Sequence, residues 1–467
     1  TLSSRQLNTL SSGQISTLST AQMSALGDEQ WRNLSTINMA ALKTSQLAVL
    51  GADRIDILTT QQIKALTTQQ FGKLTAAQVD ALTSTQLAAI ETADVAALSS
   101  LAIAGLGTHQ ISLLSTAQIA ALKDIQVAAL DSEVVAAFST AQMLALGSMQ
   151  IAKLTPQQIA VLSSQQLATL SANDIGSLSS AALLALDSAQ ISSLSVNQLA
   201  GMTTRQLMSL SADVIDALTT SQWQSLSSLQ LGALTSTQVG QLDIEHLLAI
   251  SPEKFRRLSA SALAGLGDEQ LSALTSNYFS VLTTAQLPKL TAAQFTQFTT
   301  AQLSAIDPSS LSFMTSAQAG SLSLEQWEAL TTRQIAALTT QHVSLMQADV
   351  VAGLSAGQVT ALTTQHFSRL TSAQLAALTP EQWAGVETQD FAAVSSQALT
   401  GLSGEQVQGL SENLLAALRT AQVAALPSSF VAALSGAQLA ALSSGKVEAL
   451  TSRQLSEFQI EQFPSLR

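Results

Sequence analysis

Leu18-Ser19-Thr20-Ala21-Gln22-Met23-Ser24-Ala25-Leu26 carries two helix-start devices in nine residues. Ser19 and Gln22 stand three apart, the spacing of a capping box. In that box the hydroxyl accepts from the backbone N–H at the third helical position, and the amide side chain reaches back to the N–H of the cap. Leu18 and Met23 fall where a hydrophobic staple places its two apolar residues. The stretch then closes on Leu26, eight residues after Leu18, and the pattern starts again.

The same octad runs through the chain. An apolar residue stands at 2, 10, 18, 26 and every eighth position to Leu466, and 48 of these 59 slots are Leu. A second apolar slot runs from Leu7 to Phe463, with Ala319 its only small occupant. No insertion breaks the phase, so the organisation is a single continuous octapeptide-repeat solenoid over 1–467, with no room for a conventional globular domain. Ser or Thr fills 41 of 59 cap slots and Gln fills 37 of 58 of the slots three residues later, so nearly every octad reads as a helix start. An unbroken straight helix is excluded, because eight is not a multiple of 3.6 and its apolar stripe would wind around the axis.

The predicted fold is all-α, a solenoid of very short helices, one per octad. The alternative is a β-solenoid, disfavoured because Ala and Gln fill the outer slots and Gly and Pro are too few for a corner per octad. A seven-residue helix does not persist alone, so stability must come from neighbouring turns. Small residues before each Leu (Ala41, Ala65, Gly105, Gly201) would let the helices approach closely. The core is assigned to the staple pair Leu18 and Met23, to Leu26, and to Trp31, Trp223, Trp327 and Trp383, which all occupy the second apolar slot. Tyr278, in a Gln slot, is the one aromatic that could face outward.

A longer period overlies the octad. Gln is replaced at Arg54, Asp94, Val134, Asp174, Val214 and Lys254, each 40 residues from the last, and again at Ser310, Val350, Asp390 and Phe430. The expectation is that five octads make one superhelical turn. The alternative is duplication of a 40-residue block without geometric meaning. Between Lys254 and Ser310 the marker slips by two octads, which places a possible phase seam within 255–306.

Composition limits function. With 19 basic and 31 acidic residues the net charge is −12, and the basic residues are scattered, which argues against nucleic acid and anionic membrane surfaces. No run of 18 apolar residues suggests membrane insertion. Absence of Cys removes disulfides, thiolate metal sites and Cys nucleophiles. His246, His342 and His366 sit in Gln slots, where an imidazole can imitate the Gln hydrogen bond; His109 lies one place earlier. Acidic pairs such as Asp28-Glu29 and Asp268-Glu269 suit the first turn of a helix. No catalytic, metal or cofactor site is predicted, and the chain is expected not to be an enzyme.

Leu154-Thr155-Pro156-Gln157-Gln158-Ile159 and Leu378-Thr379-Pro380-Glu381-Gln382 resemble the opening of the repeats of transcription-activator-like effectors. The likeness covers about six residues of two octads, is explained by shared helix-cap chemistry, and carries over no DNA function. The octads also resemble Leu-Thr-x-x-Gln arrays of large exported bacterial proteins. The repeat is in phase at both ends, so the ends are expected to continue into a longer array or to stack on other copies. The expected function is a non-enzymatic structural protein forming or extending an exported bacterial fibre, stalk or surface filament by head-to-tail or lateral self-association. The alternative is a superhelical scaffold for a protein or peptide partner, delivered as an effector or cytoplasmic. Arg32, Asp56, Lys64 and Asp80 would belong to its variable outer surface.

Overall fold

The computed structural model describes residues 2–459 and 462; Phe463 and Leu466 lie outside the described residues. Among them are 56 α-helices of four to six residues and one 3-10 turn, with no strand. The β-solenoid alternative is thereby excluded for these residues. The chain is a tandem-repeat protein with the architecture of a helical solenoid, and it divides into two compact units, Thr1–Ala233 and Leu234–Arg467.

Residues 59–74 show how one octad becomes the next. Thr59 caps the helix Thr60–Ala65, its hydroxyl accepting from the Gln62 N–H while Gln62 Oε1 accepts from the Thr59 N–H at 2.8 Å. The helix ends at Leu66, whose N–H donates to the Ile63 carbonyl at 3.1 Å. Leu66 and Thr67 are both extended (φ −64°, ψ 140° and φ −79°, ψ 156°), and the next helix starts at Thr68. The corner is therefore two extended residues that any side chain can adopt, and no positive φ occurs among the described residues. This is why the repeat needs neither Gly nor Pro to turn.

Both apolar slots point into the core: Ile63 and Leu66 are 1% and 3% exposed, and Trp31, Trp223, Trp327 and Trp383 are all buried. Met23 and Leu26 are buried as well, and Leu18 is half-buried. Burying two such side chains per octad contributes roughly 1.5–3 kcal/mol each, which only stacked neighbours make available.

The stacking corrects the five-octad turn. In the first unit the helix Thr36–Ala41 packs on Thr60–Ala65, and in the second Ser316–Ser321 packs on Thr340–Leu345. Each helix thus lies beside the helix three octads later. The Gln slot meanwhile reaches four octads back: Gln62 Nε2 donates to the carbonyls of Trp31 and Leu34, 31 and 28 residues earlier. Neighbours three and four octads away mean a turn of about 28 residues, or three and a half octads. Residues 40 apart are then about 1.4 turns apart and share no face. The physical reason is core size: two side chains per octad fill a narrow interior, and five helices would leave it hollow. The 40-residue period is accordingly a mark of duplication without geometric meaning.

Residues 255–306 lie inside the second unit, and the octad frame runs through them. Their one departure is the octad 283–290, where Pro288 reduces the helix to the 3-10 turn Leu287–Lys289. Gln286 still donates to the Leu258 carbonyl at 2.8 Å.

Candidate functional site: the buried glutamine row and its replacements

The chemically distinctive feature of each unit is a row of buried amides. Gln334, fully buried, uses both lone pairs of its carbonyl oxygen and both of its amide hydrogens. Its Oε1 accepts from the Thr331 N–H at 2.9 Å and the Thr331 hydroxyl at 3.1 Å. Its Nε2 donates to the carbonyls of Leu303 at 2.9 Å and Ile306 at 2.8 Å. One amide therefore closes the start of its own helix and the end of a helix four octads earlier, both of which leave orphan backbone groups. At Ser19 and Gln22 the box itself is present: the Ser19 N–H donates to Gln22 Oε1 at 2.8 Å, and the Gln22 N–H to Ser19 Oγ at 3.2 Å.

The capping-box reading captures the oxygen of this amide and misses its nitrogen. A signal for the nitrogen was present: a capping box accepts Glu as readily as Gln, yet no Glu occupies any of the 58 slots. Only a group with a hydrogen to donate can serve the carbonyls of an earlier turn.

The ten marker residues solve that problem in different ways. Arg54 donates to the Leu26 carbonyl at 3.3 Å and pairs with Asp28 at 3.0 Å. Ser310 donates to the Leu282 carbonyl at 2.8 Å. Val134, Val350 and Phe430 are buried and replace the amide with apolar packing, whereas Val214 and Lys254 are half-buried. The three aspartates cannot donate when ionised, and they turn to hydroxyls instead. Asp174 accepts from Ser148 at 2.6 Å and from the Ser171 hydroxyl and N–H; burial pushes its carboxyl up, but these bonds outweigh it and hold it below the usual range. Asp390 accepts from Thr364 at 2.6 Å. Burial raises the Asp94 and Asp390 carboxyls, with Thr68 and Thr364 opposing and Glu91 and Glu387 adding to the rise.

Asp94→Gln is therefore expected to stabilise the chain by about 1–2 kcal/mol near neutral pH, by replacing a buried carboxylate with a donor. Because the folded-state pKa of Asp94 is raised, acidification protonates the folded carboxyl first, and the advantage of Gln should shrink as pH falls. Thermal melts of both proteins across that range measure it; equal melting temperatures at neutral pH would remove the donor argument.

Tyr278 is buried, and its hydroxyl donates to the carbonyls of Ile250 at 3.0 Å and Leu248 at 3.2 Å. Its single O–H proton thus stands in for the amide N–H of Gln, without the bond to its own cap, and its ring is edge-on to Phe255 at 5.2 Å. His342 and His366 also occupy Gln slots, each 3% exposed. Three octads separate them, and with three and a half to a turn that spacing makes their helices neighbours. His246 lies 3.1 Å from Asp243 within its own octad, and His109 is exposed.

Two features mark the outer surface besides Arg32, Asp56, Lys64 and Asp80, which are all exposed. Leu101, Ile125 and Met149 occupy the same slot on three helices packed in succession and are 77%, 58% and 81% exposed. Gly107, Gly147 and Gly267, all at cap slots, each border an open groove of about 470–570 Å³ against the start of the octad three before. Met149 lines the groove at Gly147 together with Lys123 and Asp124. No helix of the described residues is long and apolar enough to cross a membrane.

Comparison with known proteins agrees with the repeat. No curated protein matches the chain. Among solved structures, the leucine-rich repeat-containing protein LegL7 from Legionella pneumophila is similar over 52% of this chain and 80% of that one. The identity is 14% and the TM-score 0.15, too low to bear on the fold. Residues 87–124 match the ALTTAQ repeat family, whose description spells out the Leu, cap and amide slots of the octad.

Proposed function

We propose that the chain is a non-enzymatic structural repeat protein of an exported bacterial fibre, stalk or surface filament, built by self-association of octad arrays. One observation carries the reading: the repeat is two-sided. Octad 323–330 shows both sides: Gln326 gives amide N–H to the Phe298 carbonyl about one turn back, and the Leu330 carbonyl accepts from Gln358 about one turn ahead. Nothing in that bond requires donor and acceptor to belong to one chain, and a heterologous contact of this kind propagates without closing. A chain with only 11% charged residues offers little repulsion to lateral packing. Electron microscopy and sedimentation of the purified chain test it. Fibres that lengthen with concentration are expected; particles of single-chain mass at every concentration would overturn the reading.

The second reading, a scaffold for a protein partner, rests on Leu101, Ile125 and Met149. Three large apolar side chains exposed on adjacent helices are the kind of patch that marks an interaction surface. Replacing all three by Ser should leave the melting temperature nearly unchanged while reducing any association that runs through this face. Unchanged association would assign the contact to the array ends instead.

A further inference from the structure

Gln does not titrate, whereas two of its replacements in the buried row are imidazoles, His342 and His366. His342 Nδ1 lies 3.3 Å from the Thr339 backbone nitrogen and His366 Nδ1 lies 3.1 Å from that of Thr363. Their Nε2 atoms lie 2.7 Å from the Met314 carbonyl and 2.8 Å from the Leu338 carbonyl. The partners fix the tautomer: Nδ1 must accept from an N–H, so the proton sits on Nε2 and is donated to the carbonyl. The neutral imidazole thus reproduces the bonds of Gln, oxygen for Nδ1 and amide nitrogen for Nε2. Protonation would place a hydrogen on Nδ1, pointing at a backbone N–H that already points back.

The two rings are also neighbours. The helix Thr340–Leu345 packs on Thr364–Phe367, which packs in turn on Thr388–Ala393. We propose that His342 and His366 form an acid-sensitive joint in the second unit, which loosens the octads 339–346 and 363–370 from the turn beneath them on acidification. The charged groups on the surrounding octads are Asp307, Arg333, Asp349, Arg369, Glu387 and Asp390. His366 itself also acts on His342, since a proton on one ring disfavours a second on the other. Asp390 accepts from Thr364, and burial raises its carboxyl.

Burial depresses both imidazoles, with the Met314 and Leu338 carbonyls opposing. The sign follows. The unfolded chain takes up these protons near the ordinary His value while the folded chain resists, so the stability these residues contribute is present above about pH 6.5 and is lost as pH falls below it. Two such sites make the loss steep: each changes the folding equilibrium by up to about tenfold per pH unit.

Hydrogen exchange of the full chain at about pH 7.5 and pH 5.5, with rates corrected for intrinsic exchange, tests the joint against His342→Gln/His366→Gln. The variant carries the residue found in most octads, so its folding is secure. Wild type is expected to lose protection by about tenfold or more in 339–346 and 363–370 at the lower pH, while the variant keeps it. The wild-type melting temperature should also fall by on the order of 5 °C more than that of the variant. Equal pH dependence of the two proteins, or a loss spread evenly over Gln-held octads, would overturn the proposal.

Discussion

Gln334→Glu is expected to destabilise the second unit by about 3–5 kcal/mol at neutral pH, more than Gln334→Ala at about 3 kcal/mol. The two side chains of Gln and Glu are nearly the same shape, and Glu still accepts from the Thr331 N–H as Gln does. The difference lies at the other atom. Where Gln gives N–H to the Leu303 and Ile306 carbonyls, Glu sets a negatively charged oxygen against two partial negative charges in a fully buried site. Ala merely leaves the three backbone groups unserved. The order should invert on acidification: burial raises the pKa of the introduced carboxyl, and once protonated it can donate. Denaturant unfolding of the three proteins at two pH values reads this directly. A Glu variant as stable as wild type at neutral pH would show that the Nε2 bonds contribute nothing.

Gly201→Ala is expected to cost about 2 kcal/mol although it adds one methyl group, and Gly320→Ala to gain about 0.5–1 kcal/mol. Both glycines lie in the last turn of six-residue helices, Val196–Gly201 and Ser316–Ser321, so helix propensity favours Ala equally. Space separates them. A Cβ on Gly201 would stand 2.1 Å from the Ala172 carbonyl oxygen and 2.6 Å from its carbon, backbone that cannot swing aside, whereas a Cβ on Gly320 meets nothing within 4 Å. The helix Ala172–Ser177 would have to retreat from its neighbour and carry the bonds of Gln206 to Ile175 and Leu178 with it. Calorimetric melts of the two variants give opposite shifts on this account. A stabilised Gly201→Ala would mean that the close approach is not maintained in solution.

The octad, its cap, its amide and its two core slots were legible in residues 18–26, because each is a local device with a fixed spacing. The turn was not. Its length depends on how far the Gln amide reaches across the interior, and that distance belongs to packing between octads with no sequence spacing of its own. The markers from Arg54 to Lys254 supplied a plausible number, but a duplicated block preserves its period whether or not it closes a turn. His342 and His366 show the consequence: read against a turn of five octads they are unrelated, and against three and a half they are adjacent. Their chemistry as stand-ins for Gln was readable from the slot; their proximity was not.

The reach of each amide from one octad to the fourth before it has the connectivity of an α-helix, in which each N–H bonds the carbonyl four residues back, with whole helices in the place of residues. The cooperativity carries over as well. The first bond across a turn requires some 28 residues to be ordered beforehand, and each octad after that adds its bonds at the entropic cost of eight. Such an array nucleates with difficulty and elongates readily. It also accepts the gain or loss of whole octads anywhere along its length, since each newcomer finds the same partners. The two-octad slip between Lys254 and Ser310 is a change of that permitted kind, whereas a single inserted residue would misplace every donor beyond it.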